Sequence, residues 1–254
     1  MVIAMKPIIH KDSLGDRMKA YENVSRVYLT RRMPVIIRCD GRAFHGLELD
    51  KPYDQQFMGW MVQAALETAQ HMQGFQAAYI QSDEVSFLLV DYETIEAEAW
   101  FNYNINKLNS ISAALMSVVF NSYTSMYEFA PAKTIVFDAR SFNVPREDVV
   151  NYFLWRVKDW NSNSLSMLCQ ANFSHEQLKG KSKADQHEML HGIGKNWAEC
   201  TDREKNGTMI VKMPNSSLFV VDLREEMNYT ALEEILNKHI YVDLYKKPEV
   251  ESGT

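Results

Sequence analysis

The sequence predicts an α+β, two-layer fold in two parts: a split β-α-β, ferredoxin-like domain over residues 1–140 and a mainly helical domain over residues 141–254. Apolar, β-branched runs and segments of helical periodicity follow one another in the order strand, helix, strand, strand, helix, strand. This is the order of the split β-α-β unit. After Pro145 helical periodicity predominates. Because such a unit carries its helices on one face of the sheet, we expect the other face to be open.

The first domain is predicted element by element. Asp12-Ser13 can cap a first helix, Pro34 ends it, and Gly74 is a natural C-terminal stop for the second helix. The predicted helices span 14–32, 55–73 and 96–127, and the predicted strands span 35–40, 75–81, 85–91 and 133–138. The strands at 75–81 and 85–91 form a tight hairpin.

The second domain begins with a helix that Pro145 opens. Further helices are predicted at 165–173, 185–191 and 231–239. Asn206-Gly207 is typical of a hairpin turn and precedes a predicted short strand at 209–213, and a second segment, 217–223, is expected to pair alongside that strand. The tail, 246–254, is predicted to be loose.

Composition limits the class of protein. The chain has 254 residues, of which 46% are hydrophobic and 24% charged, as in an ordinary globular protein of one or two domains. Its net charge of -6 argues against a generally basic nucleic-acid binder but allows local basic patches. No apolar run approaches the ~20 residues of a membrane span, and the start is too weakly apolar for a signal peptide. We therefore expect a cytoplasmic protein without a membrane partner, and its 3 cysteines are expected to be reduced.

Two aspartates lie at the ends of predicted strands in the first domain. Asp40 ends the strand 35–40 and precedes Gly41, whereas Asp83 lies at the tip of the hairpin. If these strands are neighbours the carboxylates meet, and at about 4 Å they repel by roughly 4 kcal/mol at an effective dielectric of 20. Such a pair needs a shared proton or a cation, and hard oxygen ligands suit Mg²⁺. Singly, each residue also fits a turn aspartate bonded to backbone amides.

Four cations are candidates for triphosphate contacts, because phosphoryl transfer requires positive charge. Arg38 shares the strand face of Asp40 and is expected to point into the site, whereas Cys39 points away. Each of the others could equally be a solvated surface cation. The four are Arg38, Lys51, Lys107 and Arg140.

A zinc-peptidase pattern occurs downstream. His187-Glu188-Met189-Leu190-His191 matches H-E-x-x-H, and Gly194 falls at the glycine position of the longer form. The third histidine of that form is replaced by Trp197. We therefore interpret His187 and His191 as residues of a surface helix.

Three segments together resemble the histidine-tRNA guanylyltransferase superfamily, whose members add nucleotides to the 5′ end of a tRNA in the 3′-to-5′ direction. They are residues 37–45, 81–87 and 137–140, within a resemblance that covers most of residues 10–215. The resemblance implies a polymerase-palm-like catalytic domain, a second domain that holds tRNA, and a homotetramer. It also implies nucleoside triphosphates as substrates, GTP for addition and ATP for activation of a 5′-monophosphate.

The resemblance also implies roles for individual residues. Asp40, the carbonyl of Gly41 and Asp83 would hold two Mg²⁺ ions, and Glu84 would support catalysis beside Asp83. The nucleotide site would be formed by residues from the strand end, the following loop, the hairpin and the basic positions. They are Arg38, Asp40, Gly41, Arg42, Ala43, Phe44, His45, Lys51, Ser82, Asp83, Lys107 and Arg140.

The segment 159–165 lacks the histidine that eukaryotic members carry in a His-Ile-Asn-Asn-Leu-Tyr-type stretch. Residues 163–175 resemble the bacterial and archaeal-type relatives instead, which implies template-dependent repair of tRNA 5′ ends. Candidate tRNA contacts are Asn161, Asn163, Lys179, Lys181 and Lys183.

Three alternatives stay open. A member of the same superfamily could add an extra 5′ guanosine to histidine tRNA. A GTP cyclase shares the palm and the carboxylate hairpin, although Gln81-Ser82 stands where cyclases have Gly-Gly. A catalytically silent tRNA-binding protein is the third alternative, which the presence of both aspartates disfavours.

Overall fold

The computed structural model describes residues 13–42, 44, 47–126, 134–224 and 228–240. The predicted tail lies outside these residues. The strands are β1 (Val35–Gly41), β2 (Phe75–Gln81), β3 (Glu84–Leu89), β4 (Phe137–Asn143), β5 (Thr208–Lys212) and β6 (Leu218–Asp222). The helices are α1 (Leu14–Asn23), α2 (Gln55–Gln70), α3 (Ile105–Met126), α4 (Arg146–Gln170), α5 (His175–Leu178), α6 (Lys183–Gly192), α7 (Asp202–Asn206) and α8 (Tyr229–Ile240). Within this described part, no helix combines the length and apolar character needed to cross a membrane.

The strands form one sheet in the order β4-β1-β3-β2-β5-β6, and every neighbouring pair is antiparallel. The first four strands have the order of the split β-α-β unit, so the predicted fold class is confirmed. The two strands predicted near 209–213 and 217–223 are β5 and β6, which pair with each other and extend this sheet beyond β2. The sheet therefore crosses the proposed domain boundary at residue 140, and that division stays a prediction. The turn predicted at Asn206-Gly207 was wrong, because Asn206 ends α7 and Gly207, with a φ of 77°, is its C-cap.

Both faces of the sheet are covered. Val35, Ile37 and Cys39 point into a core shared with α2 and α3, whereas Ile36 points into a second core shared with α4 and α8. The expectation of an open face was wrong for a simple physical reason. Alternate residues of β1, β2 and β3 on that face are also apolar, and α4 removes them from water.

The first helix is shorter than predicted. Ser13 caps α1 through a capping box with Asp16, as its sequence indicates, but the helix ends at Asn23 instead of continuing to residue 32. Beyond it, long-range hydrogen bonds hold the chain in a non-helical path: the backbone N–H of Leu29 donates to the carbonyl of Tyr103 at 3.0 Å. Tertiary bonding thus overrides the helical periodicity of this segment.

Two further boundaries differ from the prediction. The helix predicted at 96–127 begins only at Ile105, because residues 101–103 have left-handed backbone φ values of 49–57°. The strand predicted at 133–138 is β4, which begins at Phe137 and pairs with β1 along the edge of the sheet.

Residues of two separately predicted helices form one continuous helix, α4, of 25 residues. It begins after Pro145, whose fixed φ suits a helix start. Its first half packs on the sheet, and its second half forms a small core with α6, which contains Leu165, Leu168 and Leu190. The stretch 159–165 therefore lies inside one helix of the second predicted domain, and the first half of that helix packs on strands of the first predicted domain.

Candidate active site

The two aspartates singled out from the sequence are neighbours at one edge of the sheet. Asp40 pairs with Glu84 of β3 on one side and with Asp138 of β4 on the other. The backbone N–H of Gly41 donates to the carbonyl of Asp83 at 2.9 Å, which fixes the hairpin tip beside the end of β1. The strands are thus adjacent, as the prediction required, and the site gathers carboxylates from three strands.

The hairpin tip consists of Ser82 and Asp83. Gln81 and Glu84 pair across it, and Ser82 has a left-handed φ of 47° that lets the chain reverse in two residues. Asp40 and Asp83 line one cavity of about 410 Å³, whose opposite wall is α4. The covering helix therefore forms part of the site.

The catalytic role of Glu84 stays a prediction, and the structure shows which residues hold its side chain. It belongs to β3, is 8% exposed, and accepts two hydrogen bonds from the Arg156 guanidinium of α4, at 2.7 and 2.8 Å. Arg38 lies 3.7 Å from the same carboxylate. Burial raises the pKa of Glu84, and the charge of Arg156 opposes that rise. Glu84 thus joins the helix to the sheet directly beside Asp40.

The donor set at this edge fits Mg²⁺. Within the described residues Asp40 has no ion-pair partner, and the guanidinium of Arg156, which lines the same cavity, is bonded to Glu84 and Asp159. The same ranges contain no cluster of three or more His, Cys, Asp or Glu side chains that could hold a metal. Magnesium often binds through one or two carboxylates and completes its shell with water and substrate phosphates. Asp40, Asp83 and the carbonyl of Gly41 match that mode.

A second cavity, of about 460 Å³, adjoins the hairpin tip. Ser82 and Asp83 line it together with Lys51, Phe44 and the second half of α4. The ring of Phe44 is 7% exposed and packs edge-on against three other rings of the core, with centroids 5.5 Å away. A Cβ at Gly41 would lie 2.0 Å from that ring, so glycine is required at position 41 for Phe44 to occupy this place in the core.

Comparison with known proteins identifies the family. The family described as "Thg1: tRNAHis guanylyltransferase" matches residues 15–145. A bacterial tRNA(His) guanylyltransferase (Thg1)-like protein in complex with ATP is 34% identical, with a TM-score of 0.83 over 91% of this chain and 100% of that chain. This chain belongs to the tRNA(His) guanylyltransferase family. Members of the family are nucleotidyltransferases.

Other relatives extend the comparison. A bacterial tRNA(His) guanylyltransferase-like protein in complex with GTP is 31% identical, with a TM-score of 0.74 over 91% of this chain and 100% of that chain. "Probable tRNA(His) guanylyltransferase" of Drosophila melanogaster is 25% identical over 81% of this chain and 79% of its own length. "tRNA(His) guanylyltransferase 2" of Arabidopsis thaliana is 28% identical over 78% of this chain. The chain spans only 37% of that Arabidopsis protein's length.

The cations predicted for the nucleotide site of this guanylyltransferase-family chain are distributed unevenly. Lys51 lines the second cavity. Arg140 of β4 is directly opposite Arg38 of β1 in the register of the two strands. Arg42 has an exposed side chain, and its backbone N–H donates to Val136. The structure does not bring Lys107 to either cavity: it lies in the first turn of α3, with its ammonium 5.7 Å from the ring centroid of Phe101.

Among the predicted tRNA contacts of this family member, the two asparagines differ. Asn161 donates to the carbonyl of Lys205 at 2.6 Å and to the side chain of Asn206 at 3.0 Å, so it joins α4 to α7. Asn163 is exposed and lines the cavity that contains Asp40 and Asp83, the carboxylate cavity. RNA contact by either residue stays a prediction, and the geometry favours Asn163.

The three candidate lysines lie at α5 and α6. Lys179 and Lys181 are exposed. Lys183 instead donates to the carbonyl of Ser162 and the hydroxyl of Ser166, both at 2.6 Å, and burial lowers its pKa. Ala43 and His45, predicted to bind nucleotide, lie outside the described residues.

Other features of the sequence receive a structural explanation. Cys39 is fully buried, and burial raises the pKa of its thiol to about 12, so it cannot act as a thiolate near neutral pH. His187 lies on α6 with its ring 6.0 Å from that of Trp197, and His191 is exposed on the same helix.

Sequence reasoning missed Arg156 and Asp138. Asp138 required the true start of β4, which lies four residues later than predicted. Arg156, in contrast, carries a signal in the sequence. It falls one turn after Tyr152 in the apolar stripe of a helix, where a charged residue indicates a buried ionic partner.

A buried hydroxyl connects the second cavity to the helical part of this guanylyltransferase-family fold. Ser164 of α4 donates to the carbonyl of Glu204 at 2.6 Å and accepts from the indole N–H of Trp197 at 2.9 Å. The hydroxyl of Tyr53, which follows Lys51-Pro52 in the cavity wall, lies 2.9 Å from both the hydroxyl and the carbonyl of Ser164. Ser164 thus holds three segments together.

We expect Ser164→Ala to lower the free energy of unfolding by about 1–3 kcal/mol, because the half-buried indole N–H of Trp197 loses its acceptor and the carbonyl of Glu204 loses its donor. Urea unfolding followed by far-UV circular dichroism measures this change. Ser122→Ala is the matched control, since Ser122 also lies in a helix and donates to a backbone carbonyl but is exposed. Equal effects of the two substitutions would contradict the role given to Ser164.

Proposed function

We propose that this chain is a template-dependent tRNA 5′-end nucleotidyltransferase that adds nucleotides in the 3′-to-5′ direction. The observation that carries the proposal is the position of Asp83, beside Asp40 on the neighbouring strand and shared by two cavities. A transfer reaction needs room for two substrates at one reactive centre, and this arrangement supplies it.

Each residue of the site has a separate role in this proposal. Asp40, Asp83 and the Gly41 carbonyl would hold two Mg²⁺ ions, which when bound would neutralise the triphosphate and lower the pKa of the attacking 3′-hydroxyl. Lys51 places an exposed ammonium in the cavity that also contains Ser82, and this suits the phosphates of a nucleoside triphosphate. Glu84, held by Arg156, keeps α4 over the carboxylates.

The substrates are proposed by chemistry and by likeness. The bacterial relatives were solved with ATP and with GTP. ATP or GTP would activate a 5′-monophosphate, and the 3′-hydroxyl of an incoming nucleotide would then displace the activating group. The tRNA partner follows from the family and is held, in this proposal, by the helical part of the chain. A tetramer is a further prediction from the resemblance, and a cytoplasmic location is a prediction from the sequence.

A second candidate is addition of an extra guanosine to histidine tRNA. It is favoured by the names of the curated relatives, which include tRNA(His) guanylyltransferases of Schizosaccharomyces pombe and Debaryomyces hansenii. The segment 159–165 lacks the histidine of the eukaryotic pattern, and the amide of Asn161 within that segment is bonded inside the fold. This departure is the reason that repair is preferred.

We expect the protein to restore a missing first nucleotide according to the base opposite it. Only a paired nucleotide brings its 3′-hydroxyl into the attack position, and a misplacement of about 1 Å can slow a reaction on the order of 100-fold. The experiment uses truncated tRNAs that differ only in the templating base, each supplied with all four nucleoside triphosphates and Mg²⁺. Addition of G to histidine tRNA alone, whatever the opposite base, would instead establish the guanylyltransferase.

A further inference from the structure

Trp155 is exposed but held in a defined orientation. It lies on α4 between a sheet-facing tyrosine and arginine, and 53% of its surface is accessible. The guanidinium of Arg156 lies 4.5 Å from its ring centroid, and the ring of Tyr152 lies 5.9 Å away. Because large aromatic residues are mostly buried, a supported indole left open to solvent points to a binding role.

The position of Trp155 relates it to the edge of the sheet. The ring of Tyr152 also contacts Phe142 of β4, with centroids 5.8 Å apart. Phe142 lies two residues from Arg140, so the two side chains share one face of β4. A chain of aromatic contacts therefore leads from the exposed indole to the strand that carries Arg140.

This side of the site has positive charge that the protein only partly neutralises. Arg38 and Arg140 are directly opposite each other on neighbouring strands, an arrangement that is unfavourable for like charges. Within the described residues the Nε of Arg38 is buried without a hydrogen-bond partner, and its nearest carboxylate, Glu84, already accepts two bonds from Arg156. Arg140 has Asp138 at 3.3 Å. An anion beside these guanidinium groups would complete the arrangement.

We propose that Trp155 stacks on the terminal, unpaired nucleobase of the RNA strand whose 5′ phosphates face Arg38 and Arg140. An indole beside cations is the combination that binds single-stranded nucleic acid. The RNA is preferred over the free nucleotide because Trp155, Arg38 and Arg140 do not line the cavity with Lys51, whose α4 residues come from the second half of that helix. This inference rests on the proposed function and adds the residue that recognises the RNA end.

The test compares Trp155→Ala and Trp155→Phe with the wild-type protein on a truncated tRNA. We expect the alanine variant to raise KM for the RNA about 10-fold, the usual effect of losing one stacked base, and to leave KM for the nucleotide unchanged. Phenylalanine is expected to restore most of the RNA affinity. Phe219→Ala is the control, because Phe219 is 56% exposed but lies on β6 at the opposite edge of the sheet.

A binding measurement separates this inference from the proposed function. With 2-aminopurine as the first base of the RNA, the wild-type protein should quench its fluorescence and Trp155→Ala should not, and no turnover is needed. Equal quenching by the two proteins would overturn the inference, and so would a rise in KM for the nucleotide instead of the RNA. Thermal melting of Trp155→Phe confirms folding. Loss of quenching in that variant as well, with an unchanged melting temperature, would also count against stacking.

Discussion

Asp83→Asn and Asp40→Asn are each expected to slow nucleotide addition by about 1,000-fold or more while the protein stays folded. Each substitution removes one of the two neighbouring carboxylates that we propose hold Mg²⁺, and electrostatic stabilisation of several kcal/mol is expected to be lost with it. Single-turnover extension of a truncated, 5′-labelled tRNA in Mg²⁺ measures the rate. Circular dichroism and thermal melting report the fold.

Asp148→Asn is the matched control for these variants. Asp148 is an exposed aspartate in the first turn of α4, on the helix that covers the site but at its far end. It should retain the wild-type rate. Binding of Mn²⁺, followed by its electron paramagnetic resonance signal, should weaken in both site variants and not in the control. Near-normal turnover by Asp83→Asn in Mg²⁺ would remove the two-metal assignment.

The strands that carry these aspartates could be predicted because their signals are local. Each is a short apolar run ended by glycine, proline or a two-residue turn, and β1, β2 and β3 were found within two residues of their predicted bounds. Their adjacency followed from the order of the elements. The sequence therefore sufficed to bring Asp40 and Asp83 together.

The wrong boundaries have long-range causes. The segment after α1 has helical periodicity, but the Arg31 and Arg32 side chains bond to Asp91 and to carbonyls of residues 91–97, far away in sequence. The start of α3 is delayed by left-handed residues just before Asn104, whose side chain then accepts from the N–H of Lys107. No local sequence pattern indicates which distant residues will form these hydrogen bonds.

The expectation that one face of the sheet is open was wrong for a similar reason. Alternation along β1 placed Arg38 and Asp40 on the face predicted to be open, and it is α4, more than 100 residues later, that closes it. Periodicity showed that α4 is amphipathic but not which surface it covers. The ion pair of Arg156 with Glu84 was hidden for the same reason.

The ion pair between Arg156 and Glu84 is expected to have a large effect on stability. We expect Arg156→Met to lower the free energy of unfolding by about 3 kcal/mol or more, because it leaves Glu84 buried with only the more distant guanidinium of Arg38. Glu84→Gln should be milder, since Arg156 keeps Asp159 at 3.0 Å and the face of Trp155. Guanidinium chloride unfolding, followed by circular dichroism without added metal, measures each change.

The double variant Arg156→Met with Glu84→Gln tests whether the loss of stability comes from the buried, unpaired charge of Glu84. Without that charge, the double variant should be more stable than Arg156→Met alone, so the two effects should not add. Lys212→Met is the control: its partner Glu93 lies 2.8 Å away, but the side chains are 24% and 34% exposed, so about 1 kcal/mol or less is expected. If Arg156→Met were no more costly than Lys212→Met, the pair would not be what fastens α4 over the carboxylates. Since α4 also supplies Asp159 and Trp160 to the carboxylate cavity, loosening it should raise KM for the nucleotide and for tRNA together.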